Sequence, residues 1–408
     1  MMALITGSFG IIQPYTNPYL LAAGLSKWEI NLVSGIALLS GMVVQPLIGR
    51  LSDRWDARKP LILGSAIVAA IAYSLFPVSN SFTILLILSI FGTNGFTYLN
   101  TVSGVIIGRI AGPAQSGGAY TRFRVLGSIT YIIVAVVCGK LLPNRGMLSA
   151  PDLQPIFIVG PIIYILIGLL STRIPDPKKT TIVHDIVSSD DSASRKPNSL
   201  VQNSQAMPKL IPTFLLAYAF YQGALYGVSA NLPIYLTEVL HAKPSDLGVF
   251  FAFGVVTEVL VMFQVGKFTD RTGRRPALLL AFGLLPLRLV AYNFAPTPLW
   301  AAVVQSLHGL NFGIVGAIAI AYINDCSEEG KRGSEQARLA VTAGISTAIS
   351  MWLCGWMMQN YGFTAMFFTM SAIASIGGLI LFLFVDESHP SFRHRKAILS
   401  RQKSHDAG

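Results

Sequence analysis

Hydrophobic positions along this chain come in long blocks, separated by short polar or charged interruptions. The blocks fall at about 3–22, 29–49, 60–79, 82–108, a stretch opening near Tyr120, 155–173, 210–236, 246–265, 276–295, 298–323, 336–358 and 363–385. At a rise of about 1.5 Å per residue, a helix of about twenty residues crosses a hydrocarbon core about 30 Å thick. The pattern therefore predicts an all-α membrane protein with twelve transmembrane helices, called spans one to twelve below.

Two of the interruptions repeat each other. Gly49-Arg50-Leu51-Ser52-Asp53-Arg54, followed by Arg58, Lys59 and Pro60, divides spans two and three. Gly266-Lys267-Phe268-Thr269-Asp270-Arg271, followed by Arg274, Arg275 and Pro276, divides spans eight and nine, 217 residues later. A fainter echo joins Asn17-Pro18-Tyr19-Leu20 in span one to Asn231-Leu232-Pro233-Ile234-Tyr235-Leu236 in span seven. Duplication predicts two pseudo-symmetric six-helix bundles, residues 1–174 and 210–386. Between them, 175–209 is rich in Pro, Lys, Ser, Asp, Asn and Gln without apolar periodicity, which predicts a disordered linker. Residues 387–408 form a basic tail.

Composition supports the class. Of 408 residues, 52% are hydrophobic and 12% charged, whereas soluble domains carry about 25% charge. A net charge of +11 would suit a nucleic-acid partner if it formed one patch. Here it alternates from loop to loop instead. Lys27, Lys140, Arg145 and Lys243 fall on one side, Arg288 inside a span, and nearly all other Lys and Arg on the opposite side. The positive-inside rule makes that basic side cytoplasmic, with both termini and the linker. The partner is the lipid bilayer, not nucleic acid. The first block lacks the basic n-region of a signal peptide and is expected to stay as span one. Cys138 and Cys354 sit in spans and Cys326 at a span end, so no disulfide framework, metal set or cofactor motif is visible.

Ionisable residues inside the spans are the candidate chemistry. Glu258 lies roughly 12 Å into span eight from the basic side, Arg288 roughly 18 Å into span nine, and His308 roughly 15 Å into span ten from the other side. All three fall near the midplane, where charge is costly and usually marks an ion or substrate path. A structural Glu258–Arg288 ion pair is the plain alternative, although a buried pair is a poor source of stability. The functional expectation is that Glu258 loads and releases a proton, and that Arg288 forks a substrate carboxylate. Gln13 and Asn17 in span one, Asn100 in span four, and Tyr221 and Gln222 in span seven are expected to line a polar, aromatic-walled cavity. That lining suits a sugar, a nucleoside or an aromatic acid. Gly49, Asp53, Arg54, Arg58, Gly266, Asp270, Arg271 and Arg274 are expected to work as latches. In that reading the glycines allow close helix approach, and the aspartates bond loop arginines or helix N-termini when the basic side closes.

Two six-span halves with Gly-x-x-x-Asp-Arg after spans two and eight resemble the major facilitator superfamily over essentially the whole chain. Further stretches resemble its phenylpropionate-permease group, similar to the lactose-permease group of proton symporters. They are Arg122-Phe123-Arg124-Val125-Leu126-Gly127-Ser128, Gly254-Val255-Val256-Thr257-Glu258, Arg288, Gln305-Ser306-Leu307-His308-Gly309-Leu310-Asn311-Phe312-Gly313 and Gln336. Asn311 stands where the lactose-permease-like group carries a carboxylate. The resemblance implies the major facilitator fold. It also implies proton coupling and substrate binding through Glu258, Arg288, His308 and Gln305, and packing or gating by Arg122 and Arg124.

The expected function is import of a small organic solute by proton symport with alternating access. The alternatives are proton-coupled export of a drug or lipid and, from another class, a non-transporting sensor of the same fold. No enzyme motif is present. A monomer in a bacterial plasma membrane is expected.

Overall fold

The computed structural model describes residues 1–55, 58–111, 116–143, 149–173, 207, 209–328, 330–389 and 392, except for the side chains of 52–55, 58, 105, 107–111 and 116–124. Most of the linker 175–209 and of the basic tail lies outside the described residues. So do the side chains of Asp53, Arg54, Arg58, Arg122 and Arg124.

All regular structure among the described residues is helical. Spans one to six are Met2–Ala22, Lys27–Trp55, Arg58–Ser74, Phe82–Ala111, Ser116–Leu141 and Ile156–Arg173. Span seven is Leu210–Ser229 continued by Leu232–Glu238, span eight Pro244–Thr272 and span nine Arg274–Ala291. Span ten is Pro298–Gln305 continued by Leu307–Cys326. Arg332–Phe384 turns back on itself at Gly362, whose φ of +82° suits glycine, and so supplies spans eleven and twelve. Pro60 and Pro276 each sit two residues inside their helix, in the first turn, where amides have no partner to lose.

The repeat is visible in hydrogen bonds as well as sequence. Tyr19 in span one donates to the Phe76 carbonyl at 3.2 Å, and Tyr235 in span seven donates to the Tyr292 carbonyl at 2.6 Å. Both acceptors open a short 3-10 turn after the third helix of their bundle. One buried tyrosine per bundle thus ties its first helix to its third.

The two bundles meet along two antiparallel seams. In one, Lys27, Asn31, Gly35 and Met42 of span two face Gln359, Gly355, Trp352 and Gly344 of span eleven in step. In the other, Pro244 and Gly248 of span eight face Gly139 and Ala135 of span five. Glycine makes the approach: a Cβ at Gly248 would strike the Ala135 carbonyl oxygen, and one at Gly355 would lie 2.6 Å from the Asn31 Cβ.

Polar contacts close the same end. Asn31 and Asn231 exchange amide hydrogen bonds of 2.8 and 2.9 Å, both side chains buried. Asn17 donates to the Ala230 carbonyl at 2.6 Å, Tyr15 to the Pro244 carbonyl at 3.1 Å, and Lys27 pairs with Glu238 at 2.7 Å. These hydrogen bonds and this ion pair between the bundles lie on one side, away from the basic loops. Among the described residues, the seal between the bundles is at this end.

Candidate functional site

Toward the basic end the bundles part around a cavity of about 450 Å³ between spans five, seven, eight and ten. Val125 and Ser128 line it from span five, Tyr218, Gln222, Leu225 and Tyr226 from span seven, and Val259, Met262 and Val265 from span eight. Span ten adds Phe312, Val315, Gly316, Ala317 and Ile320. Three aromatic rings and many aliphatic side chains surround few polar groups.

The expected lining is only partly realised. Gln222 is on the wall, with Tyr218 and Tyr226 one helical turn to either side. Tyr221 is not. It is fully buried in its own bundle, stacked on Phe282 with centroids 4.2 Å apart and donating to the Asn311 carbonyl at 3.1 Å. One residue is a 100° rotation on a helix, enough to turn it from wall to core. Asn17 belongs to the seam, Asn100 is exposed, and Gln13 accepts from Tyr131 of span five at 3.1 Å.

Behind the wall lies a buried polar cluster. Arg288 is 1% exposed; its Nε and Nη2 each donate to the Tyr292 hydroxyl at 3.2 Å, and Nη2 also to Gln305 Oε1 at 2.7 Å. Tyr292 donates to the same Gln305 oxygen at 2.6 Å. Arg288 Nη1 has no hydrogen-bond partner. The recorded partners of this cation are neutral, and Glu258 is not one of them. His308 stacks on the wall residue Phe312 with centroids 5.5 Å apart, and its Nδ1 also lacks a hydrogen bond. Asn311 donates to the Ala281 carbonyl at 2.8 Å, a span-nine tie in place of a carboxylate.

Glu258 reaches this cluster through span ten. It is 8% exposed, within electrostatic reach of Tyr131. Its backbone amide touches Gly309, where a Cβ would collide with the Thr257–Glu258 peptide. Gly309 and Gly313 form a small-xxx-small face that seats span ten on span eight. Gly254 leaves room for Gln305, since a Cβ there would lie 3.0 Å from Gln305 Nε2.

The second charged loop is engaged within its own bundle. Asp270 meets Arg274 at 3.7 Å, Arg274 meets Asp325 at 3.4 Å, and Arg271 is exposed. Glu387, just past span twelve, accepts the amides of Arg274 and Arg275 at 2.9 and 3.0 Å and so caps span nine. Gly273, at φ +92°, makes the turn, and a side chain there would strike that carboxylate. The close approach expected of Gly49 and Gly266 is not made: a Cβ at either meets nothing within 4 Å. Among the described residues, no neighbour approaches either glycine.

The profile of the MFS_1 like family matches residues 3–370. The chain belongs to that family. Among its relatives, the probable 3-phenylpropionic acid transporter of Escherichia coli strain K12 is 27% identical, over 90% of this chain and 92% of its own. Sugar efflux transporter A of Dickeya chrysanthemi is 24% identical, over 93% and 92%. Among solved structures, a D-xylose-proton symporter superposes with a TM-score of 0.71 at 16% identity, covering 95% of this chain and 97% of that one. The fold is the twelve-helix major facilitator fold, and the chain is a multi-pass membrane transporter of a small molecule, not an enzyme.

The contacts that sequence reasoning missed carried different signals, or none. Tyr292 lies four residues after Arg288, the spacing that puts two side chains on one helix face. Thr257 adjoins Glu258. Asn31 is an amide inside a span, as Asn231 is, and nothing local announces that they pair.

Proposed function

We propose that this transporter imports an aromatic carboxylic acid together with a proton. Arg288 carries the reading: a fully buried guanidinium whose hydrogen bonds go to a phenol and an amide, with one nitrogen to spare. A buried cation held by neutral groups is incomplete electrostatically, and a substrate carboxylate would complete it in forked geometry. Arg288 lies within electrostatic reach of His308, which stacks on the cavity wall. The rings of Tyr218, Tyr226 and Phe312 suit an aromatic body. A monosaccharide would leave most of its hydroxyls facing apolar wall.

In this reading the basic loops face the cytoplasm and the structure is inward-facing, its outer end sealed by the seams. Import needs the outer end to open while the basic end closes, bringing Gly49 and Gly266 toward the opposing bundle and engaging Asp53, Arg54, Arg58, Asp270, Arg271 and Arg274 as latches. Glu258 is the proton carrier, and Arg122 and Arg124 pack or gate span five. The protein acts as a monomer in a bacterial plasma membrane.

The test is uptake in proteoliposomes of a labelled aromatic acid against its amide, a sugar and a nucleoside. The acid alone should accumulate, and Arg288→Lys, which keeps charge but not the fork, should raise its KM at least tenfold. Equal uptake of acid and amide would refute the reading. The likeness to a sugar efflux transporter favours one second reading, export through the same site; in it, an imposed outward-acid gradient would expel rather than load the solute.

A further inference from the structure

Span ten is tightened where it passes Glu258. The Ser306 carbonyl, at the junction of Pro298–Gln305 and Leu307–Cys326, accepts the Gly309 amide at 3.3 Å, an i→i+3 bond. A short 3-10 step inside a helix often marks a functional hinge. The same carbonyl accepts the Thr257 hydroxyl from span eight at 2.7 Å. That contact is shorter than Thr257's approaches to its own-helix carbonyls at Phe253 and Gly254, 3.1 and 2.9 Å.

The position of this stitch matters. One residue before it, Gln305 holds Arg288; two residues after it, His308 stacks on Phe312 in the cavity wall. One residue after Thr257 on span eight comes Glu258, whose amide rests on Gly309. Among the described residues, the titratable and charged groups around the turn include Arg288 from span nine and Tyr292 just after it, His308 from span ten, Glu258 from span eight and Tyr131 from span five. The turn thus lies between the cavity-wall residue Phe312, Gln305 and the Glu258 amide.

We propose that Thr257 is a positioning residue that pins the span-ten turn to span eight, so that cavity occupancy and the state of Glu258 change together. Without the pin, span ten moves under the solute while span eight stays, and solute crosses without its proton. The inference rests on the proton-symport reading and deepens it.

The experiment compares wild type, Thr257→Val and Thr257→Ser in proteoliposomes with a labelled aromatic acid. It measures accumulation driven by an inward proton gradient and, separately, counterflow into vesicles preloaded with the acid. Valine keeps the shape and removes the hydroxyl. It should leave counterflow within about twofold of wild type and cut gradient-driven accumulation about tenfold, the most that loss of one buried hydrogen bond usually shifts an equilibrium. Serine should restore coupling. Parallel loss of both activities in Thr257→Val would mark a merely structural residue and overturn the proposal, as would unchanged accumulation. Absence of gradient-driven accumulation in wild type, with counterflow present, would overturn the symport reading and this inference with it; a defect confined to Thr257→Val isolates the pin.

Discussion

Replacing Asn31 by leucine should swing the transporter toward opening at its sealed end. Leucine is bulkier but keeps the four branched side-chain heavy atoms, so the contact with Gly355 remains, while both reciprocal amide bonds to Asn231 disappear. Asn231 Nδ2 retains the Gly227 carbonyl at 2.8 Å, but its Oδ1 loses its donor in a fully buried site. Two net hydrogen bonds at about 1 kcal/mol each put the loss at about 2 kcal/mol, before any added penalty for the orphaned oxygen. The bonds exist only when the seam is closed, so the loss acts on that state alone. It corresponds to a shift of about 30-fold. The assay is labelling by a membrane-impermeant maleimide of Ala230→Cys, beside the seam, in a background with Cys138, Cys326 and Cys354 replaced. Labelling from the sealed side should quicken by about the same 30-fold, provided opening precedes reaction. Glu238→Gln provides the comparison: its pair with Lys27 has side chains 23% and 34% exposed, so less than about 1 kcal/mol and under fivefold is expected. Unchanged labelling in Asn31→Leu, or a larger effect from Glu238→Gln, would refute the assignment of the seal to the buried amides.

Two further predictions follow from the polar contacts. Tyr292→Phe removes the hydroxyl that accepts two Arg288 donors and should weaken acid binding about tenfold while leaving any neutral ligand unaffected; equal loss for both, read by isothermal titration, would contradict it. Glu387→Ala strips the cap from span nine, a loss of about 1–2 kcal/mol, and should lower Tm in detergent by a few degrees; an unchanged Tm would mean the cap contributes nothing.

Much of the architecture could be read before the structure. Apolar blocks located the spans, and the repeated charged loop announced two bundles, because burial in lipid writes itself as long uniform stretches. Faces within a span were less legible. Tyr218, Tyr221, Gln222 and Tyr226 look alike in sequence, since both core and cavity wall accept aromatics in a helix that is apolar all round. Only packing against Phe282 separates Tyr221 from the rest. The Asn31–Asn231 pair spans 200 residues and depends on how two bundles meet, which no local pattern encodes. Gly49 and Gly266 expose a different limit: a Cβ at either meets nothing within 4 Å, and in the proposed cycle their contacts belong to another conformation. Glu258, Arg288 and His308 were visible because charge inside a span is rare; of the neutral partners that hold Arg288, Gln305 came from the family resemblance and Tyr292 was missed.

The most direct test of symport is external pH around de-energised vesicles when an aromatic acid is added, with sugars and nucleosides as comparisons and Glu258→Gln as control. Alkalinisation with the acid alone, abolished in Glu258→Gln, is the predicted result. Alkalinisation that survives in Glu258→Gln, or that sugars evoke and the acid does not, would contradict it.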